Sequence, residues 1–234
     1  MDDFHYVGTE LDVFAHATNW KSYVHTALRK YLRGDVLEVG AGIGAATQLL
    51  NDGTPRRWLC LEPDRQLAER IRSNLPSALQ NCEVAVGALS DLGSREEFDA
   101  ILYMDVLEHI EDDKTELARA ASHLKPNGSL LVLAPAFPWL YTPFDAAIGH
   151  FRRYTKYSLC SVAPEGLREE RVHYLDSIGM LASAGNRLFL RSASPSTGQI
   201  RLWDRVLVPL SKFVDPLIAH SFGRSILAVW RKAT

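Results

Sequence analysis

Apolar and polar positions follow two periods along the chain, and those periods predict its elements. Leu11, Phe14, Ala15, Thr18, Tyr23, Val24, Ala27, Leu28 and Tyr31 fall on one stripe at helical spacing. Residues 9–33 therefore read as helix, interrupted by the polar and aromatic run from 17 to 23. Short β-branched and apolar runs then recur at 36–39, 57–62, 83–89, 98–104 and 129–135, bounded by turn formers, and read as strands. Helices are expected directly after the first of these, over 65–73 and over 115–124. The last stops at Lys125-Pro126-Asn127-Gly128, a turn signal. Beyond Pro135 the alternation ends. Segments 168–176 and 225–232 read as two more strands, an antiparallel pair at one edge, with 186–223 mostly helical around a Ser-Ala-Ser-Pro-Ser-Thr-Gly loop at 192–198.

Strand and helix in alternation predict an α/β fold, a doubly wound, Rossmann-like sheet of seven mostly parallel strands with an antiparallel edge strand. A helical cap at 1–33 precedes the main domain, 34–234, which carries an aromatic and basic insertion at 136–165 and a helical one at about 180–223. At 234 residues the chain suits one such domain with additions.

The first strand enters a glycine-dense turn, Glu38-Val39-Gly40-Ala41-Gly42-Ile43-Gly44. Glycine there permits positive φ and removes the Cβ atoms that would hold a ligand off the backbone, and the following helix start offers unpaired N–H groups. Dinucleotides and S-adenosylmethionine both use that geometry. As a dinucleotide loop, Gly40, Gly42 and Ala45 would form G-x-G-x-x-A, with Glu62 as the later ribose carboxylate. An acid two residues before the first glycine weighs against it, because Glu38 would repel a pyrophosphate but suits the ammonium and sulfonium of S-adenosylmethionine.

In this motif the chain resembles the class I S-adenosylmethionine-dependent methyltransferases, and Leu124-Lys125-Pro126-Asn127-Gly128 matches a second signature of that family. The resemblance implies a cofactor site at Glu38, Gly40, Ala41, Gly42, Gly44, Glu62, Pro63, Gly87, Ala88, Leu89, Met104, Asp105 and Val106. Glu62 would accept the ribose hydroxyls. Many members carry an acid after the third-strand glycine for the adenine amino group; here the residue is Ala88, which leaves adenine to the backbone or to Ser90 and Asp91. The helical cap of such enzymes closes over the cofactor, which would bring Trp20 and Tyr23 to the acceptor; aromatics that simply pack a helix on the sheet are the alternative. Trp139, Tyr141 and Phe144, in a loop after the fifth strand, are further acceptor candidates. So are Arg152, Arg153 and Tyr154, in a run that would bind an anion or brace a loop.

For chemistry, Asp105, Glu108 and His109 stand at i, i+3 and i+4, so a helix starting near 105 would set them on one face as a proton-transfer site or as ligands of a divalent ion such as Mg, Mn or Zn. The pattern, with His150 in a later loop, also resembles the ubiquinone-biosynthesis O-methyltransferases and the small-RNA terminal 2′-O-methyltransferases, where a metal activates the acceptor hydroxyl. That resemblance implies Asp105, Glu108, His109 and His150 as ligands, although position 105 is Asp where those families have Glu. Two metal-free readings stand beside it: His109 or His150 as base with Asp105, or a structural loop that holds the cofactor.

Composition narrows the partners. An apolar content of 47% and a charged content of 23% describe an ordinary globule, and a net charge of −2 gives no basic excess for nucleic acid. Cys60, Cys82 and Cys160 are scattered without disulfide or zinc spacing, no signal peptide opens the chain, and no apolar run is long enough to span a bilayer, so the cytoplasm is the expected compartment. Residues 185–234 hold six Arg and two Lys against two Asp. Interleaved with Leu202, Trp203, Val206, Leu207, Leu210 and Phe213, they suit a lipid-like acceptor, a membrane face, a partner subunit, or a helix packed on its own domain. The expected activity is O-methylation of a small or lipid-linked hydroxyl acceptor. Transfer to nitrogen or carbon, an NAD(P)-dependent oxidoreductase and a non-catalytic S-adenosylmethionine-binding partner protein are the rivals.

Overall fold

Five parallel strands carry the molecule: β1 (Asp35–Val39), β2 (Arg57–Glu62), β3 (Cys82–Val86), β4 (Phe98–Met104) and β5 (Leu124–Pro135). With β6 (Leu167–Leu175) and β7 (Ser225–Lys232) they form one seven-stranded sheet in the order β3-β2-β1-β4-β5-β7-β6. β7 runs antiparallel to both β5 and β6 at this end of the sheet, with β6 outermost. The computed structural model describes residues 5, 6, 8, 10–185 and 196–234.

Both faces of the sheet are covered, as continuous apolar strands require. Val36, Trp58, Cys60, Ala100, Leu102, Leu131 and Leu133 pack on one side beneath the N-terminal helices. Leu37, Leu59, Leu61, Ile101, Tyr103, Leu130 and Val132 face the other side and meet α5 (Asp113–Ser122). Chain order reverses at β1, since β2 and β3 lie to one side of it and β4 and β5 to the other. A ligand crevice belongs at that switch point, outside the carboxyl ends of the strands. At the opposite end Lys125 Nζ donates to Asp35 Oδ2 (2.7 Å) and Asp99 Oδ2 (2.8 Å), tying the starts of β1, β4 and β5.

The predicted N-terminal stripe folds as two helices, α1 (Leu11–Ala15) and α2 (Thr18–Leu28), broken at His16 and Ala17. The polar run expected to interrupt a helix instead begins one. Asp204 causes this: its Oδ1 accepts the Trp20 N–H at 2.9 Å and its Oδ2 the Asn19 N–H at 3.2 Å, so the cap of α2 comes from 184 residues downstream. The glycine turn also differs from expectation. Turns and a bend occupy 42–46, and the helix after them, α3 (Thr47–Leu50), is a single turn. α4 (Arg65–Asn74) is capped by Asp64, whose Oδ1 accepts from Gln66 and Leu67 N–H.

A helix does not start near 105. Asp105 has φ 55°, Leu107–His109 is a 3₁₀ turn, and α5 begins only at Asp113, where Asp112 accepts the Thr115 N–H at 3.1 Å. β5 starts at Leu124 rather than at 129, because Leu124 pairs with Phe98 ahead of an irregularity in the register. The insertion after β5 holds the short helices α6 (Pro143–Ala147) and α7 (Lys156–Ser161).

The second insertion runs through α8 (Ser177–Gly185), α9 (Thr197–Leu202), a π-helical turn at Trp203–Leu207 and α10 (Val208–Leu217). Of the loop expected at 192–198, residues 192–195 lie outside the described residues, and Thr197 and Gly198 are already helical behind the cap Ser196. Its acids turn inward. Asp215 accepts from Tyr23 Oη (2.8 Å) and from the Asp176 N–H (2.8 Å), and Asp176 accepts from Trp203 Nε1 (2.7 Å) and Ser211 Oγ (2.7 Å). These bonds clamp cap and insertion together over the sheet.

Candidate active site

A crevice of about 520 Å³ opens where the carboxyl ends of β1, β2, β4 and β5 meet the start of β7. That volume suits a small-molecule site. Tyr6, Leu11, Phe14, Trp20 and Trp203 roof it with apolar surface.

Its floor over β1 and β2 is built by the glycine turn. Gly40 takes φ +67°, and a Cβ there would lie 2.8 Å from both methyl carbons of Val106, so only bare backbone fits between the turn and the end of β4. Glu62 holds the turn in place: its Oε2 accepts the Gly42 N–H at 2.7 Å and its Oε1 the Asp64 N–H at 3.0 Å. Burial raises the Glu62 carboxyl to about 7. Beside it, Glu38 is buried and its Oε2 is anchored by neutral donors, Thr47 Oγ1 at 2.7 Å and Trp58 Nε1 at 2.8 Å. Among the described residues no cation pairs with Glu38, and burial lifts its pKa to about 7. The crevice thus presents a desolvated acid with no counter-charge among the described residues.

The opposite half, over β4 and β5, collects titratable groups. Glu108, His109 and His150 bring one ligand atom each to within 4.8 Å of one another. Both carboxylate oxygens of Glu108 are buried without a hydrogen-bond partner among the described residues, and desolvation raises its pKa. His150 Nε2 lies 3.8 Å from Glu108 Oε1, and its Nδ1 lies 3.0 Å from Asp145 Oδ1. Burial, with the neighbouring His150 adding to it, lowers His109 to about 4, so its imidazole is neutral near pH 7. Tyr6 closes over this group, its ring 5.7 Å from that of His109. Asp105 stands apart from the trio: it is exposed to the crevice, accepts no hydrogen bond from the described residues, and is raised to about 6 by the protein walls that crowd it.

A family model described as a methyltransferase domain matches residues 37–130. The ubiquinone biosynthesis O-methyltransferase of Xanthomonas campestris pv. campestris is 31% identical over 144 residues, which cover 53% of this chain and 59% of that protein's length. Among solved structures, the N-methyltransferase NodS from Bradyrhizobium japonicum, in complex with S-adenosyl-L-homocysteine, matches with a TM-score of 0.60 at 16% identity over 100% of this chain and 94% of that one. An S-adenosylmethionine-dependent methyltransferase from Mesorhizobium loti matches with a TM-score of 0.62 at 14% identity over 93% and 99%. Residues 37–130 thus carry a methyltransferase domain, the chain spans about three fifths of the length of the ubiquinone-biosynthesis relative, and its fold is that of the solved S-adenosylmethionine-dependent methyltransferases.

Most of the cofactor positions read from the sequence line this crevice: Glu38, Gly40, Ala41, Gly42, Glu62, Pro63, Gly87, Ala88, Leu89, Met104, Asp105 and Val106. Gly44 does not; it packs on α4, where a Cβ would meet Ile71 Cγ2 at 3.1 Å. Asp91 does not line the crevice and accepts the Ala88 N–H at 2.8 Å.

The acceptor positions divide. Trp20, Phe144 and Arg153 line the crevice; Tyr23, Trp139, Tyr141, Arg152 and Tyr154 do not. Tyr23 is spent on Asp215, Trp139 is 49% exposed on the surface, and Tyr141 Oη donates to the His150 carbonyl at 2.6 Å. The basic run braces the loop under the trio. Arg153 pairs with Asp145 through Nε (2.8 Å) and Nη2 (3.0 Å), while Arg152 Nη1 (2.8 Å) and Tyr154 Oη (2.7 Å) both reach Asp113 Oδ2.

Three residues on the crevice wall carry no local sequence signal. Asp145 orients His150 from within an aromatic loop. Lys21 is buried against the Phe14 and Ala15 carbonyls (2.8 Å each), with its pKa lowered by burial to about 8. Arg224, at the mouth of β7, stacks on Trp203 at 4.9 Å.

Proposed function

We propose that this methyltransferase moves the methyl group of S-adenosylmethionine to the hydroxyl oxygen of a small-molecule or lipid-linked acceptor. The S–CH₃ bond breaks, an O–CH₃ bond forms, S-adenosylhomocysteine leaves, and the hydroxyl proton passes to a base. Glu38 faces the ammonium and sulfonium of the donor, Glu62 takes its ribose hydroxyls, and the backbone of 87–89 flanks the adenine. Because the donor is already activated, the protein's work is alignment, exclusion of water and proton removal.

The observation that carries the choice of oxygen is Glu108. A buried carboxylate with neither oxygen hydrogen-bonded is costly alone, and two imidazoles beside it make a donor set that fits a divalent ion. Glu108, His109 and His150 would hold that ion, with Asp145 fixing the ring of His150 through Nδ1. Such an ion, when bound, lowers the pKa of an acceptor hydroxyl. Asp105, outside the trio and more basic than an ordinary carboxylate, receives the proton. Tyr6, Phe14 and Trp20 keep bulk water away. The ubiquinone-biosynthesis relative, named as an O-methyltransferase, supports the same choice.

A metal-free reading rests on the 3.0 Å contact of His150 with Asp145, which would equally poise His150 as the base. Release of S-adenosylhomocysteine with catechol as acceptor separates the two. Loss of turnover in EDTA with recovery on adding Mg, Mn or Zn is the expected result; turnover indifferent to EDTA but abolished in His150→Ala selects the metal-free base.

A further inference from the structure

We propose that the outer face of residues 197–217 docks this methyltransferase on an anionic lipid surface. Leu202, Val206, Leu210, Phe213 and Leu217 recur every three to four residues along α9, the π turn and α10, a rod roughly 30 Å long. Burying such a stripe is the usual purpose of that spacing, yet these side chains are 59, 45, 49, 72 and 72% exposed. Leu181, on the packed neighbour α8, is likewise 57% exposed.

Charge identifies what covers the patch. The exposed charges of the rod are Arg201, Arg205 and Lys212, all cationic. None of the three forms an ion pair among the described residues, Lys212 Nζ lying over the Tyr23 ring at 5.8 Å, while the rod's two acids, Asp204 and Asp215, face inward and are consumed by α2 and by Tyr23. The core of a protein interface is depleted in charge, and no acid on the outer face of the rod balances these three cations. An apolar stripe flanked by uncompensated cations is the complement of lipid tails beneath anionic head groups. No helix among the described residues is long and apolar enough to cross a membrane, so the contact is peripheral.

The same rod is a wall of the crevice, since Trp203 on its inner side lines the cavity beside Trp20 and Phe14. Docking would hold the acceptor half of the crevice about one helix diameter, roughly 10 Å, from the lipid. A lipid-linked acceptor would then reach the trio without leaving the interface. Docking itself stands apart from the choice of acceptor, because vesicle binding is read without turnover.

Co-sedimentation of the full chain with vesicles of phosphatidylcholine, alone or mixed with phosphatidylglycerol, tests this. Binding to the mixed vesicles is expected, weakening at least tenfold with added salt or in the triple variant Arg201→Gln, Arg205→Gln, Lys212→Gln. Phe213→Glu with Leu217→Glu should lose at least tenfold while keeping the wild-type Tm and S-adenosylhomocysteine affinity, which shows that the fold and the crevice are intact. No binding to the mixed vesicles, binding that neither set of changes alters, or a dimer in solution that the double variant splits would overturn the proposal.

Discussion

Asp145 Oδ1 lies 3.0 Å from Nδ1 of His150, which leaves Nε2 of the same ring facing Glu108 at 3.8 Å. Despite the burial of Asp145, its hydrogen bond with His150, then the Arg153 guanidinium and the Thr142 hydroxyl, hold it well below the usual carboxylate range, so the orienting group stays ionised. Asp145→Asn should therefore lower kcat with catechol by about 10- to 100-fold while leaving S-adenosylhomocysteine affinity within about twofold. A change confined to cofactor affinity would remove Asp145 from the acceptor side.

Glu38 makes the pH behaviour of the protein specific. Its folded pKa is about 7 against 4.5 in an unfolded chain, because burial disfavours the anion. Between those values the folded protein holds a proton that the unfolded chain releases, so the contribution is full below pH 4.5 and is lost as pH rises through 7. Glu38→Gln keeps a neutral group throughout. In urea denaturation of the ligand-free protein the variant should match wild type near pH 4.5 and exceed it at pH 8, by on the order of 3 kcal/mol. Binding should show the reverse: wild type tightens for S-adenosylhomocysteine from pH 6 to 8, and Glu38→Gln stays flat and about tenfold weaker at pH 8.

Tyr23 separates packing from catalysis. Its hydroxyl donates to the buried Asp215, and neither residue lines the crevice. Tyr23→Phe should cost about 1–3 kcal/mol of stability by urea denaturation and leave kcat/KM unchanged. An unchanged stability with a raised KM would return Tyr23 to the acceptor site.

Gly40→Ala should weaken both fold and cofactor binding, since it adds about 1–2 kcal/mol of left-handed strain to a 2.8 Å clash with Val106. Pairing it with Val106→Ala relieves the clash and not the strain. Partial recovery of S-adenosylhomocysteine affinity in the double variant is the expected calorimetric result, and full recovery would mean that φ at Gly40 carries no cost.

Much of this architecture is local information. The short apolar runs of β1 to β5, the glycine turn and the position of Glu62 follow from neighbouring residues, and so does the helix start at Asp64. What the sequence hides is set by distant partners. The break between α1 and α2 depends on Asp204, the burial of Tyr23 on Asp215, and the 3₁₀ turn at Leu107–His109 on contacts such as the Phe151 N–H to the Glu108 carbonyl at 2.8 Å. The helical spacing of Asp105, Glu108 and His109 gathered two of them for a reason the chain does not use: the turn brings Glu108 and His109 together and leaves Asp105 outside. Asp145 and Arg224 carry no spacing signal, because their roles exist only once the loop after β5 and the start of β7 meet.

The position of the transferred methyl tests the account most directly. The protein is incubated with S-adenosylmethionine carrying a ¹³C methyl group and an equimolar mixture of catechol and benzylamine, and the products are resolved by NMR and mass spectrometry. Label on the catechol oxygen, lost in Glu108→Gln and in His150→Ala, is the predicted result. Label on the amine nitrogen, or O-methylation that survives both substitutions, contradicts it.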